Sequence, residues 1–164
     1  MFIIIVADQI LFPDEIVFET ENFKIAQDWE VPIAGFLIIS SKRKVKSIVD
    51  LTETEAKEFI VLLQRVRKGL YKKLNIEEVY LFQNEDTDHW FHFWIFPRHK
   101  WMDPFGRKIQ SVRPIMDYAT RVQTIGPIIN YARQHRSTEE YCDQVRLFVR
   151  VMRDYMNEIS TSNH

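Results

Sequence analysis

Hydrophobic positions change their spacing three times along the chain. Up to about residue 50, short apolar runs alternate with turn-formers: Ile16-Val17-Phe18, then Glu21-Asn22, then Phe23-Lys24-Ile25-Ala26, and, after Pro32 and Gly35, Phe36-Leu37-Ile38-Ile39. Runs of this length bounded by such residues predict short antiparallel strands. At Thr52 the period becomes helical. Thr52 and Glu55 form a capping-box pair, and Phe59, Leu62, Leu63, Val66, Leu70 and Leu74 recur at the spacing of one helix face. Strand-like runs return at Val79-Tyr80-Leu81-Phe82 and at Trp90-Phe91-His92-Phe93-Trp94-Ile95-Phe96, separated by a polar stretch over 83–88. From about Pro114 the pattern is helical again: Ile115, Tyr118, Ala119 and Val122 follow, Gly126-Pro127 punctuates, and a second segment covers 127–135. Ser137 and Glu140 are placed to cap a last helix with an apolar stripe through Tyr141, Val145, Phe148, Val151 or Met152, Tyr155 and Ile159. Strands, helix, strands, helices is the order of an α+β domain with a mostly antiparallel sheet.

The 164 residues are 46% hydrophobic, enough for one domain over 1–164 with a sizeable core. Twenty-two basic residues against 23 acidic ones leave a formal charge of −1, so no global field draws the chain to nucleic acid or an anionic membrane. The single cysteine, Cys142, cannot form an intramolecular disulfide, which points to a buried thiol and a cytoplasmic location. The run Phe2-Ile3-Ile4-Ile5-Val6 reads as a strand or docking segment: it has no basic leader, Asp8 follows at once, and it is far too short to span a membrane. Aromatic residues make up 13% of the chain, and there are only four glycines. A glycine-rich phosphate loop is therefore excluded, and phosphate would have to be held by side chains and ordinary backbone amides.

The chemistry concentrates in Asp88-His89-Trp90-Phe91-His92-Phe93-Trp94-Ile95-Phe96-Pro97-Arg98-His99. Strand alternation puts Trp90, His92, Trp94 and Phe96 on one face and His89, Phe91, Phe93 and Ile95 on the other, so His89 and His92 are expected to diverge. A zinc site from His89, His92 and His99 would need opposed imidazoles to converge, and no metal or other cofactor is expected. His92 stands among large rings, as either a hydrogen-bonded core histidine or a reactive one.

This strand resembles the histidine-triad signature, His, hydrophobic, His, hydrophobic, His, with only its middle histidine present: the register reads Trp90-Phe91-His92-Phe93-Trp94. The stretch from Asp28-Trp29-Glu30-Val31-Pro32 through Ser40-Ser41-Lys42-Arg43-Lys44 to Thr52 is similar to the first half of that family's domain. Asn84-Glu85 falls where the family has an Asn-rich loop. The resemblance covers about residues 15–103 and implies a sheet of about five antiparallel strands with one long helix; a helical extension over about 110–160 lies outside that core. It also implies a homodimeric nucleotide hydrolase or transferase acting on dinucleoside polyphosphates, such as diadenosine polyphosphates, or on nucleoside phosphoramidates. Carried over, His92 is the nucleophile on an α-phosphate, Asp28 binds the ribose diol, Trp29 flanks the base, and Asn84, with Gln83 beside it, lies near the phosphate.

The departures bear on the chemistry. Trp90 and Trp94 occupy the outer triad positions, and Phe36 and Lys44 replace further upstream histidines of the family pattern. Tryptophan cannot titrate, so proton delivery to a leaving group lacks its usual source. Arg98, His99 and Lys100 offer positive charge past the strand, and Lys42-Arg43-Lys44-Val45-Lys46 either grips phosphate or guards a sheet edge. The alternative to an enzyme is a nucleotide-binding or partner-binding protein that kept the fold and lost the chemistry. A third reading treats the aromatic strand as pure core and the helical tail as an interaction surface, with Tyr141, Phe148, Met152 and Tyr155 packing either on the same chain or across a dimer.

Overall fold

A computed structural model describes residues 10–13, 15–106 and 124–161. The Phe2-to-Val6 run and the helical turns expected between Pro114 and Val122 lie outside the described residues.

Strands β1 (Ile16–Glu19), β2 (Phe23–Gln27), β3 (Leu37–Ser41), β4 (Val79–Gln83) and β5 (His92–Pro97) form one antiparallel sheet in the order β1-β2-β3-β5-β4. Helix α1 (Glu53–Leu74) crosses over between β3 and β4, while α2 (Ile125–His135) and α3 (Glu139–Thr161) follow the sheet. The expected α+β class and strand count are both observed. Among the described residues, no helix is long and apolar enough to cross a membrane.

The capping box starts α1 as its sequence dictates. Thr52 Oγ1 accepts from Glu55 N (3.2 Å), and Glu55 Oε2 accepts from Thr52 N (2.8 Å). Arg43 adds two bonds to the same carboxylate (2.9 and 2.7 Å), and that cation together with the Thr52 amide holds the Glu55 pKa down to about 2. The helix ends on Asn75 in the left-handed conformation, a usual C-terminal stop.

Alternation along the strands splits the core in two. On one face Phe23, Ile25, Leu37, Ile39, Phe91 and Ile95 meet Phe59, Leu62, Val66 and Leu70 of α1 and Val149, Met152, Tyr155 and Met156 of α3. Phe36, Trp94 and Phe96 lie with the other cluster, packed on Ile125, Ile128 and Ala132 of α2. The aromatic surplus occupies both: Phe59 packs edge-on to Phe91 and Phe93 (5.4 and 5.1 Å between ring centres), and Phe36 to Trp94 and Phe96 (5.1 Å each).

Of the two packings left open for the tail, the one on the same chain is observed. Met152 is 0% and Tyr155 8% exposed inside this chain's own core, Phe148 packs against it, and Tyr141 lies under the Arg136 guanidinium at 3.9 Å. Ser137 does not cap α3: its hydroxyl donates back to the Arg133 carbonyl, and the first α3 bond runs from Cys142 N to Thr138 O. Gly126-Pro127 falls inside the first turn of α2, where a missing amide N–H costs nothing. Cys142 is a buried free thiol whose pKa burial pushes up.

Candidate functional site

His92 begins β5 opposite Ser40 of β3, on the face that carries Ile38 and Trp94. It is 9% exposed. Its Nδ1 lies 2.9 Å from the Trp90 carbonyl oxygen. A carbonyl can only accept, so Nδ1 carries the proton, and in the neutral ring the lone pair sits on Nε2. The same carbonyl would steady the positive charge that the ring acquires if Nε2 forms a bond.

His92 borders a cavity of about 170 Å³ whose lining also includes Asp28, Trp29, Trp94, His89, Ile129 and Arg133. The sheet supplies His92 and Trp94, the turn after β2 supplies Asp28 and Trp29, and α2 closes the cavity with Ile129 and Arg133. Asp28 Oδ1 accepts from the amides of Glu30 (3.0 Å) and Val31 (2.8 Å), which fixes the turn before Pro32. One carboxylate oxygen is thereby committed to the backbone. Burial pushes the Asp28 pKa above its ordinary value, opposed by those two amides and by the charge of Arg133. Arg133 spans from α2 to Glu30 (2.6 Å), tying the helix to the Asp28 turn. Trp94 packs edge-on to Phe36 and tilted against Phe82 and lies 6.3 Å from the His92 ring; its indole N–H has no acceptor among the described residues.

Four of the residues expected from sequence, His92, Asp28, Trp29 and Trp94, therefore line one cavity. Trp90, Gln83, Asn84, Arg98 and His99 do not, for separable reasons. The Trp90 ring is 48% exposed beneath the ammonium groups of Lys44 (5.9 Å) and Lys46 (5.8 Å), so it does not flank His92 as Trp94 does. Gln83 spends its amide on the Lys46 carbonyl (2.8 Å), and Asn84 is an exposed loop residue. Arg98 and His99 sit beyond the other end of β5, beside an open cleft of about 510 Å³ that also touches Asn75, Glu78 and Lys100. There Arg98 binds Asp103 (3.1 Å) and the Gly106 carbonyl (2.6 Å). His99 Nε2 donates to the Ala34 carbonyl (2.7 Å), and burial pushes its pKa down, so it is a neutral structural group rather than a source of positive charge.

Of the two readings of the basic run, the guard of a sheet edge does not hold. β3 is an interior strand, so there is no edge for it to guard. Lys42 binds Glu19 and the Thr20 carbonyl, Arg43 binds Glu55, and Lys46 donates to the Thr87 carbonyl.

His89 departs furthest from expectation. Its ring centre lies 5.7 Å from that of His92 and 6.4 Å from that of Trp29, edge-on to both. The ladder of β5 begins only at His92, so the period-two rule does not reach back to residue 89, and the chain before the strand turns His89 into the same cavity. Among the described residues no group of three or more His, Cys, Asp or Glu side chains is arranged to hold a metal ion.

No family model matches the sequence, and a search of the curated proteins matches none. Solved structures do match. A Zn-bound histidine triad family protein from Mycobacterium smegmatis is 13% identical, with a TM-score of 0.56 over 92% of this chain and 88% of that one. A hypothetical histidine triad nucleotide-binding protein from Sulfolobus tokodaii is 15% identical, with a TM-score of 0.57 over 88% of this chain and 85% of that one. Matches of that extent reach beyond residues 15–103 into the C-terminal helices. Five antiparallel strands in this order, a long crossover helix, and a lone buried histidine opening the fifth strand give this chain the fold of the histidine-triad proteins.

Proposed function

We propose that this protein is a nucleotide phosphohydrolase or nucleotidyl transferase, with His92 Nε2 attacking the α-phosphorus of a dinucleoside polyphosphate or a nucleoside phosphoramidate. One observation carries the reading: the Trp90 carbonyl fixes the proton on Nδ1, leaving Nε2 as the nucleophilic nitrogen of a ring that lines a cavity shared with Asp28 and Trp29. The free oxygen of Asp28 suits a ribose hydroxyl, and the half-exposed Trp29 indole suits the face of a base. The unpaired N–H of Trp94 is a donor for a phosphoryl oxygen. The Sulfolobus tokodaii neighbour, described as nucleotide-binding, supports the same ligand class. Pairing of two copies into a homodimer rests on the sequence resemblance, and size-exclusion chromatography with light scattering reads it directly.

The test is to mix the protein with dinucleoside polyphosphates, nucleoside phosphoramidates and nucleotidyl sugars, then follow product release and the intact mass after rapid acid-free quench. A transient nucleotidyl adduct mapped to His92 is the expected result. Tight nucleotide binding with neither adduct nor turnover would select the non-catalytic binding reading instead.

Asp28 gives a prediction in which stability and binding separate. Its folded pKa is raised, so its contribution to stability is present below the unfolded carboxyl pKa and is lost as pH rises through the folded value. Asp28→Asn keeps an oxygen for the Glu30 and Val31 amides and removes the buried charge. The thermal midpoint of Asp28→Asn at pH 7 is therefore expected to equal or exceed that of the native protein, an advantage that fades toward pH 4. Nucleotide affinity by calorimetry is expected to fall roughly tenfold to a hundredfold, the worth of a hydrogen bond to a charged acceptor. A variant that is destabilised at pH 7 but binds normally would assign Asp28 to the turn alone.

A further inference from the structure

The outer positions of the histidine strand hold Trp90 and Trp94, so the reaction proposed above has no proton donor there. We propose that His89 is that donor: a second catalytic histidine, delivered from the loop before the strand, which protonates the leaving group as His92 attacks. This inference rests on the His92 reading and goes beyond it.

The geometry selects His89 among the described histidines. His99 is committed to the Ala34 carbonyl at the far end of β5, and His135 is stacked on Tyr131 with its Nδ1 at the Tyr131 carbonyl. Only His89 and His92 line the same cavity. Their ring centres are 5.7 Å apart with an interplanar angle of 83°. A nucleophile approaches its target atom at about 3–3.5 Å, and a general acid works at about 2.6–3.2 Å from the atom it protonates. With the bond from phosphorus to the leaving atom added, the two reaches exceed the separation of the ring centres, so the rings serve one phosphoryl group when their reacting nitrogens face it rather than each other. Imidazole is also the side chain suited to give up a proton near neutrality.

The loop is built to hold His89 there. Lys46 donates to the Thr87 carbonyl, Gln83 donates to the Lys46 carbonyl (2.8 Å), and the Trp90 carbonyl accepts from His92 (2.9 Å), so the chain is tied down on both sides of residue 89. Trp29 packs edge-on against the His89 ring. His89 is nonetheless exposed, so the water that attacks in the second step can reach it.

The steps balance. The Nε2 lone pair of His92 forms a bond to the α-phosphorus while the bond from phosphorus to the leaving atom breaks, its electron pair passing to that atom, which takes the proton of the His89 imidazolium. Water then attacks the phosphorus, neutral His89 accepts the proton from that water, and the phosphorus–nitrogen bond breaks with its electron pair returning to Nε2.

The test uses the full chain and two substrates with the same nucleoside: a 5′-p-nitrophenyl phosphate ester, whose leaving group departs without a proton, and a 5′-phosphoramidate, whose amine must be protonated to depart. Enzyme is held in excess, and release of the leaving group is timed in the first turnover, so hydrolysis of the adduct does not contribute. His89→Gln is expected to slow phosphoramidate cleavage by roughly 10²- to 10³-fold, within the range of general acid catalysis, while changing release of p-nitrophenol less than about threefold. Equal slowing of both substrates, or slowing of neither, overturns the assignment of His89. If the native protein releases p-nitrophenol no faster than His92→Ala does, the His92 reading has failed, and this one with it.

Discussion

His92→Ala is expected to reduce nucleotide turnover by about 10³-fold or more, the scale seen when the nucleophile of a covalent mechanism is deleted. The loss should fall on kcat, because Asp28, Trp29 and Trp94, the proposed contacts to the nucleotide, remain in place, and the affinity for a non-cleavable analogue should change little. Stability should suffer only modestly: the change removes one side chain to backbone bond, worth about 1 kcal/mol, and opens space beside a cavity that already exists. His92→Gly extends the test, because the vacated site lies next to the Trp90 carbonyl that oriented the lost ring. Added imidazole is expected to restore leaving-group release and to appear as an N-nucleotidyl imidazole. Turnover by His92→Ala at the native rate would remove the covalent mechanism altogether, and restoration without a nucleotidyl imidazole product would show that the added imidazole acts as a base rather than a nucleophile.

That expectation was legible in the sequence because His92 lies within a true ladder. From His92 to Pro97 each residue has a partner on β3 or β4, so alternation correctly sorts Trp94 and Phe96 onto the cavity side and Phe93 and Ile95 onto the side of α1. Phe91 still follows it, on the side of α1, but from Trp90 backwards the rule loses its basis. Trp90 and His89 precede the strand, and they pack against Lys44, Lys46 and Trp29, residues distant in sequence. The capping box at Thr52 was equally legible, since both of its bonds are local. Arg133 and Ile129 were not: periodicity shows that α2 has an apolar face, but nothing local says that the face lies over the Asp28 turn, a hundred residues away. The partners of the basic run were hidden for a related reason, because Glu19, Glu55 and Thr87 come from three different segments.

Gly69 carries the largest expected effect on folding. It lies inside α1, where glycine normally costs about 1 kcal/mol relative to alanine, so an exposed site would gain from Gly→Ala. Here α3 comes too close. A Cβ at residue 69 would lie 2.7 Å from Tyr155 Cδ1, 2.8 Å from Tyr155 Cε1 and 2.8 Å from Met152 Cε. The Met152 methyl is the end of a flexible chain and can swing, but the Tyr155 ring is 8% exposed in the core beneath Lys73 and has no free volume to enter. Overpacking of this kind costs about 1–3 kcal/mol, more than the propensity gain. Gly69→Ala is therefore expected to destabilise by about 1–2 kcal/mol in urea unfolding, and Gly69→Val, with two more methyl groups aimed at the same ring, by about 3 kcal/mol or more. The pair should be non-additive: Gly69→Ala in a Tyr155→Leu background removes the ring edge and should cost less than half as much as it does alone. Because α2 and α3 are consecutive and α2 carries Ile129 and Arg133 to the cavity, a shift of α3 on the core is expected to reach the proposed nucleotide site. Nucleotide affinity of Gly69→Ala should weaken while Asp28 and His92 are unchanged, and a variant both as stable and as tight-binding as the native protein would show that the approach of the two helices is not limiting.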